Sequence, residues 1–442
     1  MAQKVLVAGI DKNCHDILGI SFHLGIEVET AFYVEGLKKQ LKDKDIHTVI
    51  FHDDDYQGRS VRYRPKVLQI LLESKKRILV VSSKPSFDSL LEAAELGACE
   101  FIARPFNVRE FTSRFNAVFH KKIRISCIGG GTGLFSLLLA LKELPRIQLT
   151  SVVSMTDDGG SSGRLRASFG ILPPGDIRRS LVALSNAPEL MNEVMQYRFE
   201  KGDGISGHSF GNLFLTALSE IKGSMVQAVK GLGDILNIQG IVIPVTSTRS
   251  TLCALLKDGS VVRGESKIDL AEGRNPSLAI EHIWHEPKAE ANPDALGAIL
   301  FSDFVMMGPG DLYTSIITNF LVKDLVQAIA RTRAKKIYIC NLMTEPGETD
   351  GFDALDHVQE IVKYLNGDSL DHILISNTRI SQESEDHYKK KLQSSVGIKR
   401  VHELKKITRA QVLLTDVGDE QELIRHDPAK LRTAIEQIIK LS

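Results

Sequence analysis

Residues 125–133 set the terms for this chain: an apolar strand-like run ends in Gly129, Gly130 and Gly131, followed by Thr132 and Gly133. Helically spaced leucines continue from Leu134 to Leu144. Glycines allow a tight turn and let backbone N–H groups reach a bulky anion, while a helix N-terminus adds partial positive charge. A strand, glycine loop and helix in that order predict an α/β fold with a phosphate or diphosphate site. Because the loop begins only at residue 125, a separate unit must fill the first quarter of the chain.

The 442 residues, 43% hydrophobic and with zero formal net charge, suffice for two or three domains with their own cores. Balanced charge argues against a general nucleic-acid or membrane-surface binder. The five cysteines, Cys14, Cys99, Cys127, Cys253 and Cys340, are scattered and form no C-x-x-C pair, which fits neither a disulfide framework nor a zinc site. No apolar run reaches the roughly 18 residues of a membrane span, and no signal-peptide core stands at the start. The protein is therefore expected in the cytoplasm.

In the first 121 residues, strand-like runs recur at 5–8, 28–32, 48–51, 78–81 and 100–103, each followed by a helical stretch. Five β/α units in that length predict a small doubly wound sheet of flavodoxin-like type. The details resemble a response-regulator receiver domain. Asp53 closes the third strand, Gly58 follows five residues on, Ser82 closes the fourth strand, and Arg104-Pro105-Phe106 follows the fifth. A working receiver needs an acidic pair after its first strand and a lysine after its fifth. Here the pair reads Gly9-Ile10, with Asp11 one place late, and Arg104 replaces the lysine. The expectation is a degenerate receiver used for docking or dimerisation, with 53–55 as a solvated acidic turn and Asp53 phosphorylation as the alternative.

The second unit, 122–442, repeats the strand-to-loop theme. Asp157 and Asp158 follow a predicted strand and precede Gly159 and Gly160, an arrangement that suits a hard cation bridging to a diphosphate, or ribose hydroxyls. A polar turn is the alternative. Asp176 opens a helix behind two prolines, as an N-cap or as a ligand contact, with Arg178 and Arg179 in the first turn. His208 and Asn212 sit in Gly-rich sequence opening another helix. Gly308 and Gly310 end a further strand, and Asn341 and Thr344 follow the next. Ligands of open α/β sheets lie outside the carboxyl ends of the strands, so four such loops imply a crevice for a nucleotide and its appendage. Neither common signature is met: a G-x-G-x-x-G count from Gly129 falls on Leu134, and no Gly-Lys-Ser/Thr follows the loop.

Six segments together, GGGTG at Gly129, TDDGGSSGRLR at Thr156, PPGDIR at Pro173, GHSFGN at Gly207, GPGDLYTS at Gly308 and CNLMTEPGETDGF at Cys340, resemble the YvcK branch of the CofD-like family. The resemblance implies a Rossmann-like CofD-type domain. In the CofD branch it implies Mg2+-dependent transfer of a 2-phospholactyl group from a guanosine diphosphate conjugate to a deazaflavin. In the YvcK branch, of gluconeogenesis factors, it implies UDP-sugar binding and a link to cell shape and wall-precursor metabolism. By the same resemblance Gly130, Gly131, Thr132 and Gly133 would hold the diphosphate, and Asp157 or Asp158 a metal or the acceptor. Asn212, Asn341 and Thr344 would contact nucleoside or sugar. Asp311 departs from the small residue the family favours there. A homo-oligomer, with a regulatory protein partner, completes the expectation.

Overall fold

The computed structural model describes residues 4–9, 17, 26–31, 34–53, 67, 69–269, 278–420 and 424–441. In the N-terminal part, five strands pair in parallel: β1 (Lys4–Gly9), β2 (Glu27–Ala31), β3 (Ile46–His52), β4 (Arg77–Ser82) and β5 (Glu100–Ala103). Their spatial order, 2-1-3-4-5, is that of the flavodoxin-like doubly wound sheet. The inner strands β3 and β4 and the strand β5 read as near-continuous apolar runs because both faces are covered, whereas β2 at the edge is half-exposed. The backbone N–H of Asp53 donates to the Val81 carbonyl at 2.7 Å, which fixes it at the end of β3. The Arg104 guanidinium lies over the Phe106 ring, 5.7 Å from its centroid. Ile10, Asp11, Cys14, Asp54, Asp55 and Gly58 lie outside the described residues.

The larger sheet has seven parallel strands. In chain order they are β6 (Ile123–Gly129), β7 (Ile147–Val153), β8 (Ile241–Pro244), β12 (Phe304–Met307), β13 (Lys335–Ile339), β14 (His372–Ser376) and β15 (Gln411–Thr415). Their order in space is 15-14-13-12-6-7-8. From β6 the chain first winds outward through β7 to β8, then returns to β12 on the other side of β6 and winds the opposite way. The reversal between β6 and β12 is the topological switch point. The helix Gly131–Lys142 runs back from the end of β6, buried along Leu134, Leu137, Leu138 and Leu141. It packs on the helix Gly175–Leu184 and on the C-terminal helix Pro428–Leu441. A small antiparallel sheet, order 10-9-11, inserts between β8 and β12: β9 (Thr251–Leu256), β10 (Val261–Arg263) and β11 (Ile280–Glu286). Among the described residues no helix is long and apolar enough to cross a membrane.

The two parts share a core. Phe101 of β5 stacks on Phe301, ring centroids 6.3 Å apart. Asn107 caps the helix Val108–Phe119 by accepting from the Glu110 N–H at 2.7 Å, and its Nδ2 donates to Asp234 at 3.0 Å. Arg109 donates through Nε to Asp234 at 2.9 Å and through Nη1 to the Ile238 and Gly240 carbonyls, each at 3.0 Å. Beneath them runs a buried chain of charges. Arg114 pairs with Glu100 and Glu110, and Lys230 joins Glu110 at 2.9 Å to Asp294 at 3.2 Å. Burial, and then Asp294, push the Glu110 carboxyl above the usual range. Lys230 therefore offsets two acids that would otherwise confront each other in low dielectric. Lys230→Met should destabilise the protein by about 3–5 kcal/mol, the usual result of removing one partner from a buried ionic network, measured by urea unfolding.

Candidate functional site

Because both ends of the switch point are glycine-rich, the loop after β6 and the loop after β12 can meet backbone to backbone. A Cβ on Gly133 would stand 2.3 Å from the Pro309 carbonyl oxygen, so no larger residue fits without moving a loop. Gly130 is confined from the other side, where a Cβ would lie 2.5 Å from Ser154 Oγ and 2.7 Å from Asp176 Oδ2. Asn341, at the end of β13, accepts from the Gly310 N–H at 3.3 Å and ties the third loop to the other two.

These loops floor a crevice of about 260 Å³. Gly130, Thr132, Gly133, Gly310 and Asn341 line it, with Asp311 and Glu345 at its acidic end. Thr132 is exposed to the crevice. Lys391 and Arg425 also line it, from segments that the sequence reading did not single out. Lys391 follows the helix Gln382–Lys389, and Arg425 lies on a two-stranded hairpin, Gly418–Glu420 with Ile424–His426. A glycine loop at a helix N-terminus and two cations in the lining form an environment suited to a phosphorylated ligand.

The expected site residues fall into two groups. Gly129, Gly130, Gly131, Thr132, Gly133, Gly308, Gly310 and Asn341 gather at the switch point. Thr344 is buried and tied to the segment after the helix Gln382–Lys389: its N–H donates to the Ser394 carbonyl at 2.8 Å, and its Oγ1 accepts from the Ser394 N–H at 2.9 Å. Asn212 and His208 are buried in a polar knot behind the loop after β7. Asn212 Oδ1 accepts from Arg178 Nε at 3.0 Å, its Nδ2 donates to Ser161 Oγ at 3.2 Å, and His208 Nδ1 stands 2.9 Å from the same hydroxyl. Burial, and then Arg164 and Arg198, lower the His208 pKa, leaving the imidazole neutral at pH 7. Arg178, pulled down to about 10 by burial and the nearby Arg179, serves inside this knot and not at the surface.

The adjacent carboxylates after β7 engage different neighbours. Asp158 accepts from the Glu265 and Ser266 N–H groups, at 3.2 and 2.8 Å, and so caps the short helix Glu265–Asp269. Asp157 instead lies against Gly175 and Ser162, where burial, and then Asp176, raise its pKa. Asp176 is not the N-cap of its helix: Pro174 holds that position, without a side-chain cap, and Asp176 pairs with Arg179 at 3.3 Å. Among the described residues, no three His, Cys, Asp or Glu side chains gather closely enough to hold a metal ion.

Acidic groups nonetheless accumulate around the loops. Burial and neighbouring carboxylates raise Asp269 to about 7, Glu345 to about 8 and Glu265 to about 10. Burial raises Asp311 too. Burial, then Asp311 and Asp269, push the Glu348 carboxyl well above the usual range, while it accepts from the Tyr313 N–H and the Thr314 hydroxyl.

Geometry of this kind, a parallel sheet with glycine loops meeting at its switch point, defines a Rossmann-like α/β protein. The sequence pattern described as 2-phospho-L-lactate transferase CofD matches residues 125–417. The gluconeogenesis factor of Bacillus subtilis is 37% identical over 321 residues, covering 72% of this chain and 99% of that protein. That of Listeria innocua is 42% identical over 263 residues, covering 59% of this chain and 80% of the relative. A crystal structure of a UPF0052-family protein from Bacillus halodurans superposes with a TM-score of 0.67 at 38% identity, covering 71% of this chain and 99% of the other. The chain belongs to the CofD family, in its gluconeogenesis factor branch.

The raised carboxyls give stability a definite pH dependence. A group whose pKa is higher in the folded than in the unfolded state binds extra protons on folding, so its contribution is complete below the unfolded pKa and lost as pH rises through the folded one. For Asp269 and Glu345 that window runs from about 4 to the values of about 7 and about 8. The melting temperature of the ligand-free protein should fall from pH 5 to pH 8, and Asp269→Asn should flatten that fall. Thermal scans across the series check both.

Proposed function

We propose that this protein is a binding regulator whose ligand is a nucleotide sugar of the UDP-sugar kind, seated at the switch point between β6 and β12. The close meeting of the Gly133 and Pro309 backbones carries the reading, because it sets a glycine loop at a helix N-terminus into the floor of the crevice, an arrangement suited to a diphosphate. Lys391 and Arg425 would face its phosphates, and Asn341 its sugar or nucleoside. In the branch to which the chain belongs, such a regulator would couple wall-precursor supply and cell shape to growth on gluconeogenic carbon, with the occupied crevice read by a protein partner in the cytoplasm.

The acidic interior favours a second reading, a Mg2+-dependent transferase acting on a guanosine diphosphate conjugate. Mg2+ needs only one or two protein carboxylates when phosphates and water complete its shell. Asp157 beside Asp176 could supply them; Asp158, engaged as a helix cap, is the poorer candidate. The ion would neutralise charge on the diphosphate leaving group.

Calorimetric titration with UDP-N-acetylglucosamine and with GDP, each with and without Mg2+, separates the two. The regulatory reading expects uridine-selective binding that Thr132→Trp abolishes, since the indole would fill the exposed mouth of the glycine loop. Unchanged affinity in that variant would remove the diphosphate from this loop, and guanosine-selective, Mg2+-dependent binding would favour the transferase.

A further inference from the structure

A second cavity lies elsewhere. It is a cleft of about 860 Å³ where the helix Val108–Phe119 of the N-terminal part crosses the beginnings of β6, β7 and β8. Its size falls in the range of small-molecule sites, and it opens at the amino ends of the strands whose carboxyl ends form the crevice. Since β6 is seven residues long, about 20 Å of strand separates the two.

The chemistry of the cleft is lopsided. Among the residues lining it, Asp234 is the only acid, and Arg109 and Asn107 already occupy it. Among the described residues, neither Lys122 nor Arg146 forms an ion pair or a side-chain hydrogen bond. The Lys142 ammonium donates to the Ser185 carbonyl and feels the adjacent Glu143. Gln148, at the start of β7, is 6% exposed, and its Nε2 has no hydrogen-bond partner among the described residues. A buried amide left unsatisfied is a destabilising deficit that an acceptor in the cleft would remove. Leu141, Leu144, Leu149 and Ile238 supply an apolar wall.

The structure assigns to this cleft a second ligand site, for a small phosphorylated anion with an apolar or ring-bearing body. Lys122 and Arg146 meet its phosphates, Gln148 Nε2 donates to an acceptor on it, and the leucine wall takes the body. Thr112 and Ser113 line the same space from the N-terminal part, so the ligand touches both parts of the chain and strengthens their docking.

The test is calorimetric titration of the full chain with ADP and separately with inorganic pyrophosphate, both without Mg2+. It compares the natural sequence with Thr132→Trp, Lys122→Glu/Arg146→Glu and Gln148→Leu. The site predicts ADP binding that survives Thr132→Trp and weakens by about tenfold or more in the other two, the worth of one charge-assisted hydrogen bond. ADP should also bind more tightly than pyrophosphate, and saturating ADP should raise the melting temperature of the natural protein. The neutral pair Lys122→Gln/Arg146→Gln, whose unliganded melting temperature should match the natural protein's, separates lost recognition from lost folding. No saturable binding of either probe, or ADP affinity unaffected by the charge reversal, overturns the site. Loss of ADP binding in Thr132→Trp alone reassigns the heat to the crevice, and equal affinity for the two probes removes the apolar body from the proposal.

Discussion

Everything at the carboxyl end of the large sheet depends on how near two backbones can come. The loops after β6 and β12 meet where Gly133 faces the Pro309 carbonyl at a distance that excludes even a methyl group. Opposite winding on the two sides of β6 opens a gap at that point, and the glycines set its width. Gly130 has the same role on the β7 side, against Ser154 and Asp176. The crevice is therefore floored in part by main chain, and the side chains of Thr132, Asn341, Asp311, Glu345, Lys391 and Arg425 complete its lining.

The rim and the interior pull in opposite directions. Lys391 and Arg425 favour negative charge, while Asp157, Asp176, Glu265, Asp269, Asp311 and Glu345 crowd the loops with acid. Several of these carboxyls reach an accommodation without a cation by holding their protons, as burial dictates. A diphosphate entering such a site has two ways to lower the repulsion: it can arrive with a divalent ion, or it can meet neighbours that are already neutral. The choice separates a catalytic from a regulatory use of one scaffold.

Much of this architecture was legible in the sequence because parallel strands buried on both faces read as apolar runs, and because only glycine tolerates the close approaches at their ends. The strands at 5–8, 48–51, 78–81 and 100–103 and the loops at Gly129 and Gly308 follow from that logic. What stayed hidden was long-range. The lysines at 389–391 look like a solvated face, and nothing local places Lys391 in the same crevice as Gly133. The hairpin carrying Arg425 is brought in by the C-terminal turn of the chain, and the antiparallel sheet of β9, β10 and β11 interrupts the β/α rhythm. Adjacent aspartates looked like a pair; folding gave Asp158 a helix to cap, because amides at 265 and 266 lay within reach. His208 and Asn212, read as ligand contacts, satisfy one another through Ser161 and Arg178.

Arg109 grips the carbonyls of Ile238 and Gly240 just ahead of β8, at the end of the sheet away from the glycine loops. A unit grafted there leaves the architecture of the crevice untouched. The matched Bacillus subtilis and Bacillus halodurans proteins are covered almost completely by the remaining seven-tenths of this chain, so their fold closes without such an attachment. The N-terminal part is thus fastened to the blunt end of the sheet, where its grip lies a full strand's length from the glycine loops.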